Sequence, residues 1–235
     1  MTRNRPPSVR EVDLALPRPR PDRVSLVGED VRVEPLDPAR HAADLFRLGH
    51  DGTPEAEQSW EYMPYGPFAS EPEHRAWLEI QAASEDPLFF TVVDRPDDHA
   101  VGIATLLSIV PEHGSIEIGH IWLAPRLQRT RAATEALVLL LRYAMDDLGY
   151  RRMEWKCNAA NEPSRTAAAR LGFRFEGIFY NHLVFKGRNR DTAWFSILDE
   201  EWPRVREAYS TWLAADNFGP DGAQRRRLSE LTYRR

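Results

Sequence analysis

One cysteine, Cys157, is all the thiol in this chain of 235 residues, which excludes an internal disulfide framework and any cysteine-rich zinc site. The seven histidines fall in no metal-ligand spacing, so no metal is expected. No apolar run approaches the ~20 residues of a membrane helix. The N-terminus lacks the uninterrupted apolar stretch of a secretion signal, and there is no internal repeat. These absences point to a soluble, cytoplasmic protein with no membrane partner. With 42% apolar residues there is enough to build one proper core.

Charge is abundant but uneven. Residues 1–25 and 219–235 are each +3, which leaves −11 for the middle of a chain whose net charge is −5. An acidic body attracts a cationic partner and disfavours non-specific nucleic-acid binding. The first 25 residues hold five prolines, including Pro17-Arg18-Pro19-Arg20-Pro21, which deny them both ladder donors and helix continuity. They are expected as a flexible arm, followed by one domain over 26–215 and a solvated basic tail over 216–235.

Within the domain, Val31–Leu36 alternates like a strand, and Asp37 can cap a helix over Pro38–Leu48. Glu71–Ser84 reads as a second helix. Leu88–Asp94 and Val101–Val110 are β-branched and aromatic, and Arg95–His99 supplies a turn between them. Ser115–Leu123 is a further strand. Leu137, Leu141, Ala144 and Leu148 share one stripe of a helix over Thr130–Leu148, with Gly149 as its stop. Arg152–Asn158 is a strand, and Glu162–Arg170 a short helix with Pro163 in its first turn. Phe173–Val184 and Asp191–Ile197 are the last strands. Asp199 caps a closing helix with Trp202, Val205, Tyr209 and Trp212 on one face. That order gives an α/β sheet covered by helices. The closing helix either caps the domain or pairs two chains, so monomer and homodimer both remain open.

The sequence Gln128-Arg129-Thr130-Arg131-Ala132-Ala133 stands between the apolar strand Ile116–Leu123 and the helix that follows. Free backbone N–H groups at a helix start form an anion cradle, so this strand, loop and helix suggest a pyrophosphate site. About thirty residues later Asn161-Glu162-Pro163-Ser164 opens another helix. Together these motifs resemble the GNAT superfamily of acyl-CoA-dependent N-acyltransferases, in particular its RimJ/RimL-like branch, over roughly Leu26–Leu213. The resemblance implies a mixed, mostly antiparallel sheet with helices on both faces, acetyl-CoA as co-substrate, and an amine acceptor that is a protein N-terminus or a small amine.

It also implies roles. The pyrophosphate would rest on Gln128–Ala133, a loop of the form Gln/Arg-x-x-Gly-x-Gly/Ala. Arg131 replaces the central glycine, and its side chain either narrows the cradle or binds phosphates as a cation beside Arg129 and Arg126. The strand Ser115–Leu123 would lie along the pantetheine, with a backbone N–H of Ile121, Trp122 or Leu123 on the thioester oxygen. Asn161 would contact the pantetheine, and the Ser164 hydroxyl would serve the leaving thiolate; an ordinary helix cap is the competing role for both.

An ammonium must lose a proton before it attacks, so a base is needed. Alternation places Glu117, Gly119 and Ile121 on one face of their strand and Ile118, His120 and Trp122 on the other. Glu117 is the preferred base and His120 the second candidate. Trp60, Glu61, Tyr62 and Tyr65 belong to an aromatic stretch expected to line the acceptor or to cover the core, and Tyr180 is a weaker candidate acid. Gly187–Thr192 reads as a turn held by an Arg–Asp pair, and Cys157 as a core residue. Two other functions stay open: a GNAT-like module that senses acyl-CoA without catalysis, and a ribosome- or RNA-associated binding protein.

Overall fold

A computed structural model describes residues 11–233. Residues 1–10 of the expected arm and the last two of the tail lie outside it. The eight strands are ordered β1-β2-β3-β4-β5-β6-β8-β7 in one sheet. Neighbouring pairs run antiparallel, as in β2–β3, β3–β4, β6–β8 and β7–β8, while β5 and β6 run parallel. The fold is thus mixed α/β with a mostly antiparallel sheet, as the sequence implied. Its described residues divide into two compact units: 20–109 with 118–144, and 11–19 with 110–117 and 145–233.

The first unit holds β1 (Leu26–Val27), β2 (Val31–Pro35), α1 (Pro38–Gly49), α2 (Pro54–Ser59), α3 (Glu71–Ala83), β3 (Leu88–Asp94) and most of β4 (Ala100–Val110). The later part of β5 (Ser115–Leu123) and α4 (Arg131–Arg142) complete it. Each helix begins where a side chain can take an orphan amide: Asp37 accepts from Ala39 N–H, Thr53 from Ala56 N–H, and Ser70 from Glu73 N–H. α3 packs on β3, and α4 on β1 and β2. The core joins Leu45, Trp60, Leu78, Phe89, Ile103 and Trp122. Trp60 stacks on Trp122 with centroids 5.0 Å apart, and its indole N–H donates to the Gly49 carbonyl at 2.9 Å. α4 ends a turn earlier than its stripe suggested and continues as a π-turn over Tyr143–Asp147.

The second unit contains the start of β5, then β6 (Arg152–Asn158), α5 (Glu162–Arg170), β7 (Arg174–Phe185), β8 (Arg188–Leu198), α6 (Trp202–Leu213) and α7 (Leu228–Thr232). The β7–β8 hairpin is longer than the alternation indicated. Its turn is not held by an Arg–Asp pair: the Asp191 carboxylate accepts from Asn181 N–H at 2.7 Å and from Asn189 at 3.0 Å, while Arg190 lies over the Phe185 ring. On α6, Trp202, Val205, Tyr209 and Trp212 are all buried, the face the sequence marked.

Both tails depart from the sequence reading. Arg18 donates to the Leu148 carbonyl at 3.1 Å, its own N–H reaches Pro111 O at 3.0 Å, and the Tyr150 hydroxyl donates to Pro19 O, all in the second unit. In the first unit Asp22 N–H meets the Tyr143 hydroxyl, and Arg23 bonds the carbonyls of Ala82 and Ser84. Proline-rich backbone lacks ladder partners, yet it fixes readily where side chains and loop carbonyls supply them. At the other end, α7 buries Leu228 and Leu231, Thr232 donates to Arg170 O, and buried Asn217 bonds Trp212 O and both backbone groups of Arg226. Residues 216–233 are therefore folded structure, with Arg225–Arg227 exposed on a clamped loop.

Candidate active site

In the first unit the expected anion cradle is a tight turn after β5. Leu127 N–H bonds Ala124 O at 2.8 Å, and Gln128 side-chain NH2 holds Leu123 O at 2.9 Å. Thr130 caps α4, its hydroxyl oxygen accepting Ala133 N–H at 3.0 Å while its proton goes to Leu127 O at 2.6 Å. Arg129 adopts φ 64° and is exposed, as is Gln128.

Arg131 does not stand in the loop as a phosphate-seeking cation. Its guanidinium turns to the β1–β2 connection, pairing with Asp30 at 2.5 Å and Glu29 at 2.7 Å. Burial alone would ease its proton off, but the Glu29 and Asp30 contacts outweigh this and hold its pKa above the ordinary value. One turn on, buried Glu135 accepts the backbone N–H groups of Glu29, Asp30 and Val31 at 2.8, 2.7 and 3.1 Å. Gly28 allows this: a Cβ there would collide with the Glu135 carboxylate. The side chain that replaces the loop glycine thus leaves the loop open and ties the helix start to a distant turn. Sequence reasoning missed Glu135, although an acid inside the apolar run Ala132–Leu141 was a readable signal.

Along β5, His120 has φ 47°, a left-handed value rare outside glycine. Strict alternation therefore breaks there. The His120 ring stacks on Tyr65 at 5.6 Å and meets Phe89 edge-on at 5.7 Å. Tyr65 packs on Trp77 at 4.2 Å, and burial pushes its hydroxyl pKa well up. That hydroxyl is buried with no hydrogen-bond partner among the described residues. Phe68 N–H donates to His50 Nε2 at 2.9 Å while His50 Nδ1 bonds Phe46 O, which anchors the aromatic loop. Trp60, expected in the acceptor wall, is 1% exposed and belongs to the core, so it cannot touch an acceptor. Glu61 is exposed, and Tyr62 and Tyr65 are half-buried.

In the second unit, Glu117 is buried and paired. Lys156 Nζ lies 2.9 Å from Glu117 and 2.9 Å from Glu154, and 4.1 Å from the centre of the Trp194 ring. Burial would lower the Lys156 pKa, but Glu117 and Glu154 outweigh it and hold the ammonium above its usual value. The carboxylate preferred as base is thus half of an ion pair. The alternating charges Arg152, Glu154 and Lys156 on one face of β6 were the sequence signal for that ladder. Asn161 caps α5, its carbonyl oxygen accepting Ser164 N–H at 3.0 Å, so the amide NH2 is not spent on the cap. Trp155 Nε1 donates to Ser164 Oγ at 3.1 Å, and the Ser164 hydroxyl faces the Cys157 thiol, on which its hydrogen bond works against the effect of burial. Cys157 is buried, as expected, and burial raises its pKa. Tyr180 lies 74% exposed on β7.

The chain belongs to the GNAT family of acyltransferases: the GNAT acetyltransferase domain matches residues 30–174. A GCN5-related N-acetyltransferase from Brucella melitensis is 46% identical, with TM-score 0.90 over 94% of this chain and 99% of that one. A protein from Chromobacterium violaceum ATCC 12472 assigned to the GNAT family is 41% identical, with TM-score 0.77 over 86% and 100%. YdaF of Bacillus subtilis (strain 168), provisionally named a ribosomal N-acetyltransferase, is 29% identical over 106 residues, 45% of this chain and 57% of its own length. The chain spans between 57% and 63% of the length of the curated relatives it matches.

Proposed function

We propose that the chain transfers the acetyl group of acetyl-CoA directly to a primary amine, a protein N-terminus or a small amine, with both substrates bound at once. The observation that carries this is the start of α4, where Arg131 is drawn off to Glu29 and Asp30 and the capped turn stays open. The same observation removes the reason to read the domain as an inactive acyl-CoA sensor, since that reading rested on Arg131 closing the loop.

Acetyl-CoA supplies the activated acyl group; the chain binds, orients and handles protons. The first-turn amides of Arg131 and Ala132, with Gln128, Arg129 and Thr130 shaping the turn and Ala133 N–H held by the Thr130 cap, receive the pyrophosphate. A backbone N–H from Ile121, Trp122 or Leu123 stabilises the developing oxyanion. Asn161 meets the pantetheine through its amide NH2, and Ser164 donates to the departing thiolate. Glu61, Tyr62 and Tyr65 receive the acceptor, and Tyr180 is a lesser candidate for the acid.

For the base, the balance shifts from Glu117 to His120. Lys156 already claims the Glu117 carboxylate, whereas His120 sits in a sparsely populated backbone conformation that re-aims its ring, of the kind concentrated at functional sites. An α-amino group, with an ordinary pKa of about 7.7–8.0, needs less help from a base than a lysine at about 10.4, which favours N-termini and small amines. The test is thiol release from acetyl-CoA on adding glycinamide, with His120→Ala and Glu117→Gln beside the parent. Release that falls in the His120 variant and persists in the Glu117 variant supports the assignment, and the reverse pattern restores Glu117. No release with any amine would overturn the activity.

A further inference from the structure

In the first unit β4 holds β5 on both sides of the left-handed residue His120. After it, the Ala124 N–H bonds Val101 O at 2.9 Å, and Gly102 lets the two strands close up, since a Cβ there would stand 2.9 Å from the Trp122 carbonyl oxygen. Before it, the Thr105 hydroxyl donates to the Gly119 carbonyl at 2.9 Å. A regular ladder pairs backbone with backbone and asks for no such side-chain bond. The Gly119 carbonyl and the His120 N–H belong to one planar peptide unit, so a hold on that carbonyl fixes the plane from which the His120 backbone turns.

The same threonine backs the imidazole. Thr105 lies opposite Phe89 across β3 and β4, and Phe89 meets the His120 ring edge-on at 5.7 Å. One cross-strand pair thus touches both features that decide where the imidazole points, its backbone through Thr105 and its ring through Phe89. Burial alone does not account for the bond. Thr91 on β3 is as deeply buried as Thr105, both at 0% exposure, yet its hydroxyl has no hydrogen-bond partner among the described residues. At Thr105 the hydroxyl is spent on a peptide beside a sparsely populated conformation, which persists only where its surroundings over-determine it.

We propose that Thr105 is a positioning residue for acetyl transfer: through the Gly119 carbonyl it holds the left-handed turn that aims the His120 imidazole at the acceptor amine. Once that hold is lost, the ordinary extended conformation is the cheaper one for a histidine, and the ring leaves its place against Tyr65 and Phe89. The catalytic part of this role rests on the proposed acetyl transfer with His120 as base; the hold on the backbone does not.

The experiment is a double-mutant cycle on glycinamide acetylation with Thr105→Val, His120→Ala and the two together, with Thr105→Ser as the rescue and Thr91→Val as the control. Thr105→Val should lower kcat about tenfold or more, leave KM for acetyl-CoA within about twofold, and add nothing to the loss in His120→Ala. Thr105→Ser, which keeps the hydroxyl, should recover most of kcat, and Thr91→Val should match the parent. Losses that add in the double variant, or a Thr105→Val enzyme as fast as the parent, overturn the role. Should the parent acetylate no amine, the reading of the reaction fails by itself and amide hydrogen exchange decides the hold: faster exchange over Gly119–Ile121 in Thr105→Val but not in Thr105→Ser upholds it, and unchanged exchange overturns it.

Discussion

The starts of α4 and α5 share one local pattern and differ in what they leave for a ligand. Each follows a strand and a short loop, and each has a polar cap that accepts the N–H three residues on at 3.0 Å, Thr130 for Ala133 and Asn161 for Ser164. At α4 the side chains turn away: Arg131 and Glu135 are consumed in fastening the helix to the Gly28–Val31 turn. What remains is backbone, which suits the diffuse charge of a pyrophosphate. At α5 the side chains remain, an amide NH2 on Asn161 and the Ser164 hydroxyl beside Cys157, which suit an amide chain and a single thiolate. Similar caps thus mark helix starts, and partners far away in sequence decide what each start can bind.

The comparison can be broken most severely at Glu135. Glu135→Ala strands three backbone donors, and the loss should be about 3–5 kcal/mol of stability, read from the urea midpoint at constant m-value, together with weaker acetyl-CoA binding. A variant as stable as the parent would mean that the clamp does not define the α4 start.

A second perturbation, in the unit that carries α4 but remote from the helix start, uses pH. Burial, with His50 nearby, pushes the His74 imidazole down to about 4 from 6.5. A folded-state pKa below the unfolded one adds stability that is complete above pH 6.5 and is lost as pH falls toward 4, by about 3 kcal/mol. His74→Phe should flatten that part of the stability profile; an unaltered profile would remove His74 as its source.

At α5, Ser164→Ala should lower turnover about tenfold, below the ~10²–10⁴ of a full general acid because the hydroxyl mainly steadies the thiolate, while acetyl-CoA affinity holds. Unchanged turnover would reduce Ser164 to a partner of Trp155. The smallest effect is expected at Arg131. Arg131→Gly loses two partly exposed pairs worth about 1 kcal/mol or less each and leaves Glu29 and Asp30 uncompensated beside the helix start, so acetyl-CoA should bind a few-fold more weakly at low salt. Tighter binding would show that the side chain crowds the cradle after all.

Much of the fold was legible because the strands alternate or run apolar and the helices carry caps. β3, β5, β6, α5 and α6 lie where periodicity put them. Six-residue α2 was read as part of a loop, although Thr53 and Pro54 offered a cap and a first-turn proline. The tails were misread because their order comes from Arg18, Asn217 and Thr232 meeting carbonyls distant in sequence. The same limit applies at the site. Spacing located Gln128–Ala133, Asn161 and Ser164, but the partners that change the chemistry of Arg131 and Glu117 lie 101 residues away at Asp30 and across the β5–β6 pairing at Lys156. A pattern along the chain reports position, and burial and pairing report which groups are already taken.

The central claim is that the start of α4 is an open cradle despite Arg131, and calorimetric titration of the purified protein with acetyl-CoA at moderate salt tests it most directly. Saturable binding in the micromolar range, lost in Glu135→Ala, is the expected result. No detectable binding to the parent chain would contradict the account, since the cradle would then be closed and every role assigned to the residues around it would lose its ligand.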